Sequence, residues 1–335
     1  MTYQLAINGF GRIGRLTLRA AIESGRKDIR ICAIHSRGTP EQLAHLLKYD
    51  SAHGRMAAEI TTTKNSMIID GQEIAILEGY AMNALPWAEK GIDVVLECTG
   101  QFNAKPKCLG HIEAGAKRVL VSAPCKEADA TVVYGVNDDI LKPEHQVVSN
   151  ASCTTNCAAP VCKVLNDTFG IETANMTTIH AATGDQPTVD SRHASARRSR
   201  AAFQSMIPTS TGAGRTMCEI IPALKGRMDG TAMRVPVLNV SAVDLTAQLQ
   251  TSATAAEINS VMAQAAKEKL HGILAYTEEE LVSCDFMHHP ASAIFDATGT
   301  KTFGKDLVRV LAWYDNEWAF SVRMLDVAST MAKLD

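Results

Sequence analysis

Apolar and polar positions follow two different periods along this chain. Short, nearly continuous apolar runs occur at residues 4–8 (QLAIN), 29–34 (IRICAI), 93–97 (DVVLE), 118–122 (RVLVS), 131–134 (TVVY) and 146–149 (QVVS). Their length and β-branched content suit strands buried on both faces. Stretches with helical spacing separate several of them, as at 16–22 and around 103–115. Strands alternating with helices predict an α/β fold with a parallel, doubly wound sheet. Beyond residue 150 the pattern changes. Residues 158–165 read as a helix, 176–180 as a strand, and 233–245 as one extended sheet segment. An amphipathic helix is expected near 256–269, a strand around 307–313, and a last helix near 319–333 that returns to the first domain.

The first apolar run leads directly into Gly9-Phe-Gly11-Arg12-Ile13-Gly14-Arg15. A G-x-G-x-x-G placed between a strand and a helix is a dinucleotide fingerprint. Two glycines permit the turn and close approach of a pyrophosphate, the third lets helix pack on strand, and the helix N-terminus receives the phosphates. The expected organisation is therefore a Rossmann-type dinucleotide-binding domain over residues 1–150, joined by the C-terminal helix 317–335. A catalytic α+β domain with a large mixed or antiparallel sheet follows over 151–316. Thr99 and Ser122 follow strand ends, where ligands of such sheets lie.

An NAD-binding fold normally offers a carboxylate to the adenosine ribose about twenty residues after the fingerprint. This chain offers His35-Ser36-Arg37-Gly38 instead. Ser36 can donate to a 2′-phosphate and Arg37 can pair with its charge, whereas an aspartate would repel it. NADP is the expected cofactor in preference to NAD, with a solvated Arg37 and dual use of both as the alternative.

Candidate chemistry centres on Ser149-Asn-Ala-Ser152-Cys153-Thr154-Thr-Asn-Cys157. A cysteine at a helix N-terminus meets unpaired N–H groups and the positive end of the helix dipole, which should lower its pKa and supply thiolate. His180 ends a β-branched run and could serve as base and proton shuttle. Between residues 190 and 215 lie Arg192, Arg197, Arg198, Arg200 and Arg215 without interleaved aromatics other than Phe203. That favours an anionic small substrate over nucleic acid. The run Pro208-Thr-Ser-Thr211-Gly212-Ala-Gly214 adds hydroxyl and backbone donors, a candidate anion cradle.

Bulk properties narrow the choice. The 335 residues suffice for two cored domains, and 46% hydrophobic with 21% charged residues is ordinary for α/β proteins. A net charge of −3 gives no support for nucleic-acid or membrane affinity. Nine scattered cysteines do not form a secreted disulfide framework, and the CxxxC of Cys153 and Cys157 lacks a second pair, so no metal is expected. The N-terminus reaches glycine too soon for a signal sequence and no apolar run spans a bilayer, so a cytoplasmic location is expected.

The blocks INGFGRIGR, AHLLKYDSAHG, SNASCTTNC, MTTIHAATGDQ, MRVPVLNVSAVDL and WYDNEW resemble the phosphorylating glyceraldehyde-3-phosphate dehydrogenase family, including its erythrose-4-phosphate dehydrogenase branch. The resemblance implies oxidation of a small phosphorylated aldehyde by a homotetramer. Cys153 would be the nucleophile and His180 its base. Ser152, Thr154, Thr211 and Gly212 would line the site of attacking inorganic phosphate. Thr183, Arg234 and one of Arg197 and Arg198 (the alignment favours Arg198) would hold the substrate phosphate. Asn316 would meet the nicotinamide amide and Arg12-Ile13 the pyrophosphate, with the loop after His180, including Gly184, reaching a neighbour's cofactor. Two departures from the family pattern support NADP: Ser36 replaces its acidic residue, and Ser191-Arg192 replaces its apolar-proline pair. Thr183 and Thr211-Gly212 favour glyceraldehyde 3-phosphate over erythrose 4-phosphate. A catalytically idle binding or scaffold protein is the reading from a different class.

Overall fold

The computed structural model describes residues 2–334, which fall into two compact units. The first comprises residues 1–132, 138–151 and 321–335, and the second 133–137 and 152–320.

The first unit runs β1 (Tyr3–Asn8), α1 (Arg12–Glu23), β2 (Ile29–His35) and α2 (Pro40–Lys48), then the short hairpin β3 (Tyr49–Asp50) and β4 (Gly54–Arg55). There follow β5 (Ile60–Thr62), β6 (Ser66–Ile69), β7 (Gln72–Leu77), β8 (Val94–Glu97), α3 (Lys105–Glu113), β9 (Arg118–Val121), β10 (Ala130–Thr131) and β11 (Val147–Ser149). One sheet has the order β10-β11-β9-β8-β1-β2-β7-β6-β5. It is parallel from β10 to β7, with β6 and β5 added antiparallel at one edge. Its central strands β8, β9 and β11 are buried along their whole length, which is why their sequences read as unbroken apolar runs. The run at 131–134 forms a strand only over Ala130–Thr131.

The second unit runs α4 (Cys153–Phe169), β12 (Ile171–His180), β13 (Ile207–Ser210), α5 (Ala213–Ile220), β14 (Met228–Arg234), β15 (Ser241–Leu249), α6 (Ala255–Lys267), β16 (Leu274–Thr277), β17 (Ala293–Phe303), β18 (Leu307–Tyr314) and the start of α7 (Trp318–Ala332). Its mixed sheet has the order β13-β14-β12-β15-β18-β17-β16. The stretch 233–245, expected as one segment, is two strands. Pro236 lacks an N–H for a ladder, and the chain leaves β14 there and returns as β15. Both strands pair with β12, β14 in parallel and β15 antiparallel.

The turn after β1 explains two of its glycines. Gly9 has φ of +94°, and a Cβ there would stand 2.7 Å from the Thr99 backbone nitrogen. A Cβ on Gly14 would stand 2.1 Å from the Gly9 carbonyl oxygen, so α1 packs on the turn only with glycine at that position. From Ser321 onward α7 belongs to the first unit, where Arg26 pairs with Asp326 at 2.5 Å and Ser329 donates to Asp28 at 2.7 Å. No helix among the described residues is long and apolar enough to cross a membrane.

Candidate functional site

Ser152 caps α4, its Oγ accepting from Thr155 N–H at 3.1 Å, which sets Cys153 at the first helical position. Cys153 Sγ lies 3.5 Å from His180 Nε2. His180 Nδ1 faces the Ala181 carbonyl oxygen at 2.7 Å. A carbonyl can only accept, so the ring proton sits on Nδ1 and the Nε2 lone pair faces the thiol. Tyr314 stands edge-on to the imidazole, with ring centroids 6.0 Å apart. Its hydroxyl bonds the hydroxyls of Thr154 and Thr178, both at 2.9 Å. The Thr154 side chain is therefore engaged in a buried network with Tyr314 and Thr178.

The thiol differs from the sequence-based expectation. Burial pushes the Cys153 pKa up, and this outweighs the nearby Arg234 charge and the hydrogen bonds to Thr154 that favour thiolate. Burial likewise drives His180 down to about 3, with the Arg234 and Arg198 charges adding to the effect. In the unliganded protein the pair is a neutral thiol beside a neutral imidazole. The helix terminus is real, but desolvation costs an ion more than one helix end returns.

Next to this pair lies a guanidinium cluster. His180 and Arg234 are register partners on β12 and β14. Arg234 Nη1 donates to Thr183 Oγ1 at 2.8 Å and to the Ala181 carbonyl at 3.1 Å. Thr183 donates to Asp185, which also pairs with Arg198. Asp185 was not singled out from sequence, because its role depends on the two arginines folding back toward it. The Nε–H groups of Arg198 and Arg234 and the Gln186 amide nitrogen are buried without a partner among the described residues. One carboxylate against two guanidinium groups leaves a positive surplus, and buried donors without acceptors mark a place for an anion. Arg197 and Arg198 both line a cavity of about 750 Å³ with Thr177 and Thr231. Gly212 precedes α5, and Thr211 Oγ1 accepts from Ala213 N–H at 3.2 Å. Asn316 Oδ1 accepts from Ser241 Oγ at 2.8 Å, and Ser241 in turn accepts from Ala181 N–H. Ser191 and Arg192 are exposed in the loop after Gly184, lining a depression with Asp190 and His193.

In the first unit a cleft of about 530 Å³ is lined by residues that include Gly9, Gly11, Ser36, Arg37, Tyr80 and Thr99. Gly11 is the N-cap of α1, so the backbone N–H groups of Arg12 and Ile13 open the helix beside that cleft. The Arg12 side chain is committed elsewhere. Burial would raise the Asp50 pKa, but the Arg12 guanidinium and the N–H groups of His53 and Ala52 hold it near 2. Ser122 N–H bonds the Glu97 carbonyl at 3.0 Å. Glu78 accepts from Gly38 N–H at 3.2 Å, bringing a carboxylate to the loop that carries Ser36 and Arg37.

Beneath the cleft is a polar core that sequence patterning missed. The fully buried Glu97 accepts from Asn8 Nδ2, from His111 Nε2 at 3.3 Å, and from both the N–H and hydroxyl of Thr99. Trp87 Nε1 donates to His111 Nδ1 at 3.1 Å, which places the imidazole proton on Nε2 and aims it at Glu97. His35 Nδ1 bonds Asn8 Oδ1 at 2.6 Å. The network ties β1, β2, β8 and α3 together under the glycine turn. Glu97→Ala strands the buried donors of Asn8 and His111 and should destabilise the fold by about 3 kcal/mol, measured by urea unfolding.

Two family models match the chain: the glyceraldehyde 3-phosphate dehydrogenase NAD-binding domain over residues 3–105 and the C-terminal domain of the same family over 152–316. A glyceraldehyde-3-phosphate dehydrogenase of Xanthobacter flavus is 52% identical across all of both chains. One from Cereibacter sphaeroides is 51% identical over the same full coverage. Glyceraldehyde-3-phosphate dehydrogenase 2 of Bacillus subtilis is 48% identical, covering 99% of this chain and 97% of its own. The chain belongs to the glyceraldehyde-3-phosphate dehydrogenase family. It is thus an oxidoreductase with a nicotinamide cofactor, and the glycine turn, the open α1 N-terminus and the adjoining cleft fit a dinucleotide. Among the described residues no group of three or more His, Cys, Asp and Glu side chains is placed to hold a metal ion.

Proposed function

We propose that this chain oxidises glyceraldehyde 3-phosphate to 1,3-bisphosphoglycerate, reversibly, through a Cys153 thioester, with inorganic phosphate as acyl acceptor and NADP preferred over NAD. The observation that carries the reading is Cys153 Sγ at 3.5 Å from the bare Nε2 of His180, beside the Arg234, Arg198 and Thr183 cluster with its unpartnered donors.

The aldehyde's phosphate occupies the guanidinium cluster, which holds its carbonyl carbon against Cys153. His180 Nε2 takes the thiol proton as sulfur adds to that carbon, and Arg234 favours the charge on sulfur. A dianion on Arg234 and Arg198 offsets the two charges that depress His180, so the imidazole gains basicity when substrate is bound. The bound oxidised nicotinamide supplies the hydride acceptor. His180 hands the thiol proton to the oxygen of the adduct, giving the thiohemiacetal, and takes it back from the hydroxyl as hydride leaves and the thioester forms. Thr211, the α5 N-terminus and the backbone at Thr154 offer donors to the phosphate that then attacks the thioester. Phosphate attack expels the Cys153 thiolate, and the one proton held on His180 Nε2 returns to it, which restores the starting pair.

Rates measured with glyceraldehyde 3-phosphate and erythrose 4-phosphate, each with and without phosphate, test the substrate. Phosphate-dependent turnover with a higher kcat/KM for the three-carbon aldehyde is expected. Phosphate-independent oxidation favouring the four-carbon aldehyde would overturn the reading.

NADP preference rests on Ser36 and Arg37 lining the cleft, and on Ser191 and Arg192 in the second unit. Ser36→Asp sets a carboxylate where a 2′-phosphate would receive a donor. It should lower kcat/KM with NADP by at least tenfold, about 1.4 kcal/mol, and leave the value with NAD within a few-fold. Equal kcat/KM for both cofactors in the unmodified enzyme, or a clear NAD preference, would overturn this part.

A further inference from the structure

Cys108 and Cys125 stand outside the reaction centre, and the fold brings together the two segments that carry them. Residues 103–105 run beside residue 126: Lys105 N–H donates to the Lys126 carbonyl at 2.9 Å, Lys126 N–H to the Asn103 carbonyl at 3.0 Å, and Ala104 and Lys126 form an isolated parallel bridge. Cys108 sits one helical turn beyond Ala104, on the same face of the opening of α3. Cys125 is next to Lys126 in the chain. Both thiols pack into the apolar cluster that contains Val119 and Val121, Cys108 fully buried and Cys125 half-buried. The ion pair of Lys105 with Asp129 at 2.5 Å fastens the same two segments.

We propose that Cys108 and Cys125 are a redox modification site, a dithiol that hydrogen peroxide closes to an intramolecular disulfide. The half-exposed Cys125 sulfur attacks a peroxide oxygen, breaking the O–O bond to give a sulfenic acid and one water. The Cys108 sulfur displaces the hydroxyl from Cys125 as a second water and forms the S–S bond. Two thiols lose two electrons and two protons, and one peroxide becomes two waters. The electrostatics agree with this division of roles. The neighbouring Cys125 thiol raises the Cys108 pKa, with burial adding to it, and Cys108 lowers that of Cys125. The less acidic, buried thiol resolves and the more acidic, accessible one initiates.

The bond reaches the nucleotide cleft through Phe102. Cys108 Sγ donates to the Phe102 carbonyl at 3.2 Å, and Phe102 lines the cleft with Thr99 and Gly9. Oxidation removes that proton and draws α3 toward residue 125, so nucleotide affinity falls.

The test uses the full-length Cys153→Ser protein, so that oxidation of the reactive thiol does not obscure the result. After stoichiometric peroxide and a non-reducing tryptic digest, residues 108–117 should appear linked to residues 119–126, with the link removed by dithiothreitol. The linked protein should bind NADP and NAD about threefold or more weakly, recovering on reduction. Cys125→Ser, which leaves the buried position untouched, should give no linked pair and no peroxide-dependent change in affinity. Recovery of the two peptides as separate sulfinic or alkylatable species would overturn the site. Linked protein with unchanged affinity would overturn its coupling to the cleft.

Discussion

A Cys153→Ser variant is expected to lose phosphate-dependent dehydrogenase activity by a factor on the order of 10⁴ or more, while its thermal midpoint stays within about 2 °C. The substitution exchanges a thiol for a slightly smaller hydroxyl at a half-buried position. What it removes is the atom that bears negative charge before attack. An alcohol beside a neutral imidazole gives far less anion than a thiol does, and the ester it would form resists attack by phosphate. His180 stays in place with Nδ1 on the Ala181 carbonyl, so the loss reports the nucleophile and not a rearranged base. A variant retaining near-normal kcat would remove Cys153 from the mechanism.

The second large effect is expected at Arg234. Arg234→Leu should cut kcat/KM for the phosphorylated aldehyde by about 10² or more, roughly 2.7 kcal/mol, chiefly through KM, because charge-assisted contacts to phosphate disappear. A second readout separates this role from simple loss of packing. Arg234 is the leading charge that favours thiolate at Cys153. Without it the thiol pKa rises further, so the pH profile of iodoacetamide labelling moves to higher pH. It also depresses His180, whose pKa should climb from about 3 in the variant. Arg234→Lys keeps the charge but not the fork, and should recover the labelling profile more fully than KM. Weaker substrate binding with an unmoved labelling profile would show that Arg234 acts on phosphate alone.

Sequence reading reached furthest where local pattern and tertiary role coincide. Residues 4–14 carry an apolar strand, a glycine turn and a helix start within eleven consecutive positions, and Gly9 and Gly14 each answer to a close contact in the fold. Buried parallel strands such as Val147–Ser149 were legible because both faces are covered, leaving an apolar run without alternation. Residues 233–245 misled for the same reason: an extended apolar pattern says nothing about which neighbour each half pairs with, and the break is made by one proline. The Glu97 network was invisible because its members are far apart in the chain, Asn8 being 89 residues from Glu97. A lone glutamate at a strand end gives no sign of the indole and imidazole that will enclose it. The Cys153 pKa was misjudged because the helix position was read correctly while the burial that outweighs it is made by residues distant in the chain. Asp185 belongs with these: next to Gly184 it reads as a turn residue, and only the fold makes it the anchor of Arg198.

The pairing of His180 with Arg234 across β12 and β14 bears on which genetic changes this chain can survive. The two residues share one rung of a ladder whose strand separation is set by backbone hydrogen bonds, about 4.8 Å. Substitutions on these strands can be absorbed one at a time. Loss of a single codon between Met228 and Met233 cannot, because a slip of one residue turns Arg234 to the opposite face and carries the positive charge away from the imidazole. Length changes should therefore collect in the loops, such as 181–206, and be absent from these two strands. On the proposed reaction, the same fixed interval would hold the base and the phosphate-binding charge at one spacing, so a longer aldehyde would have to bend to reach both.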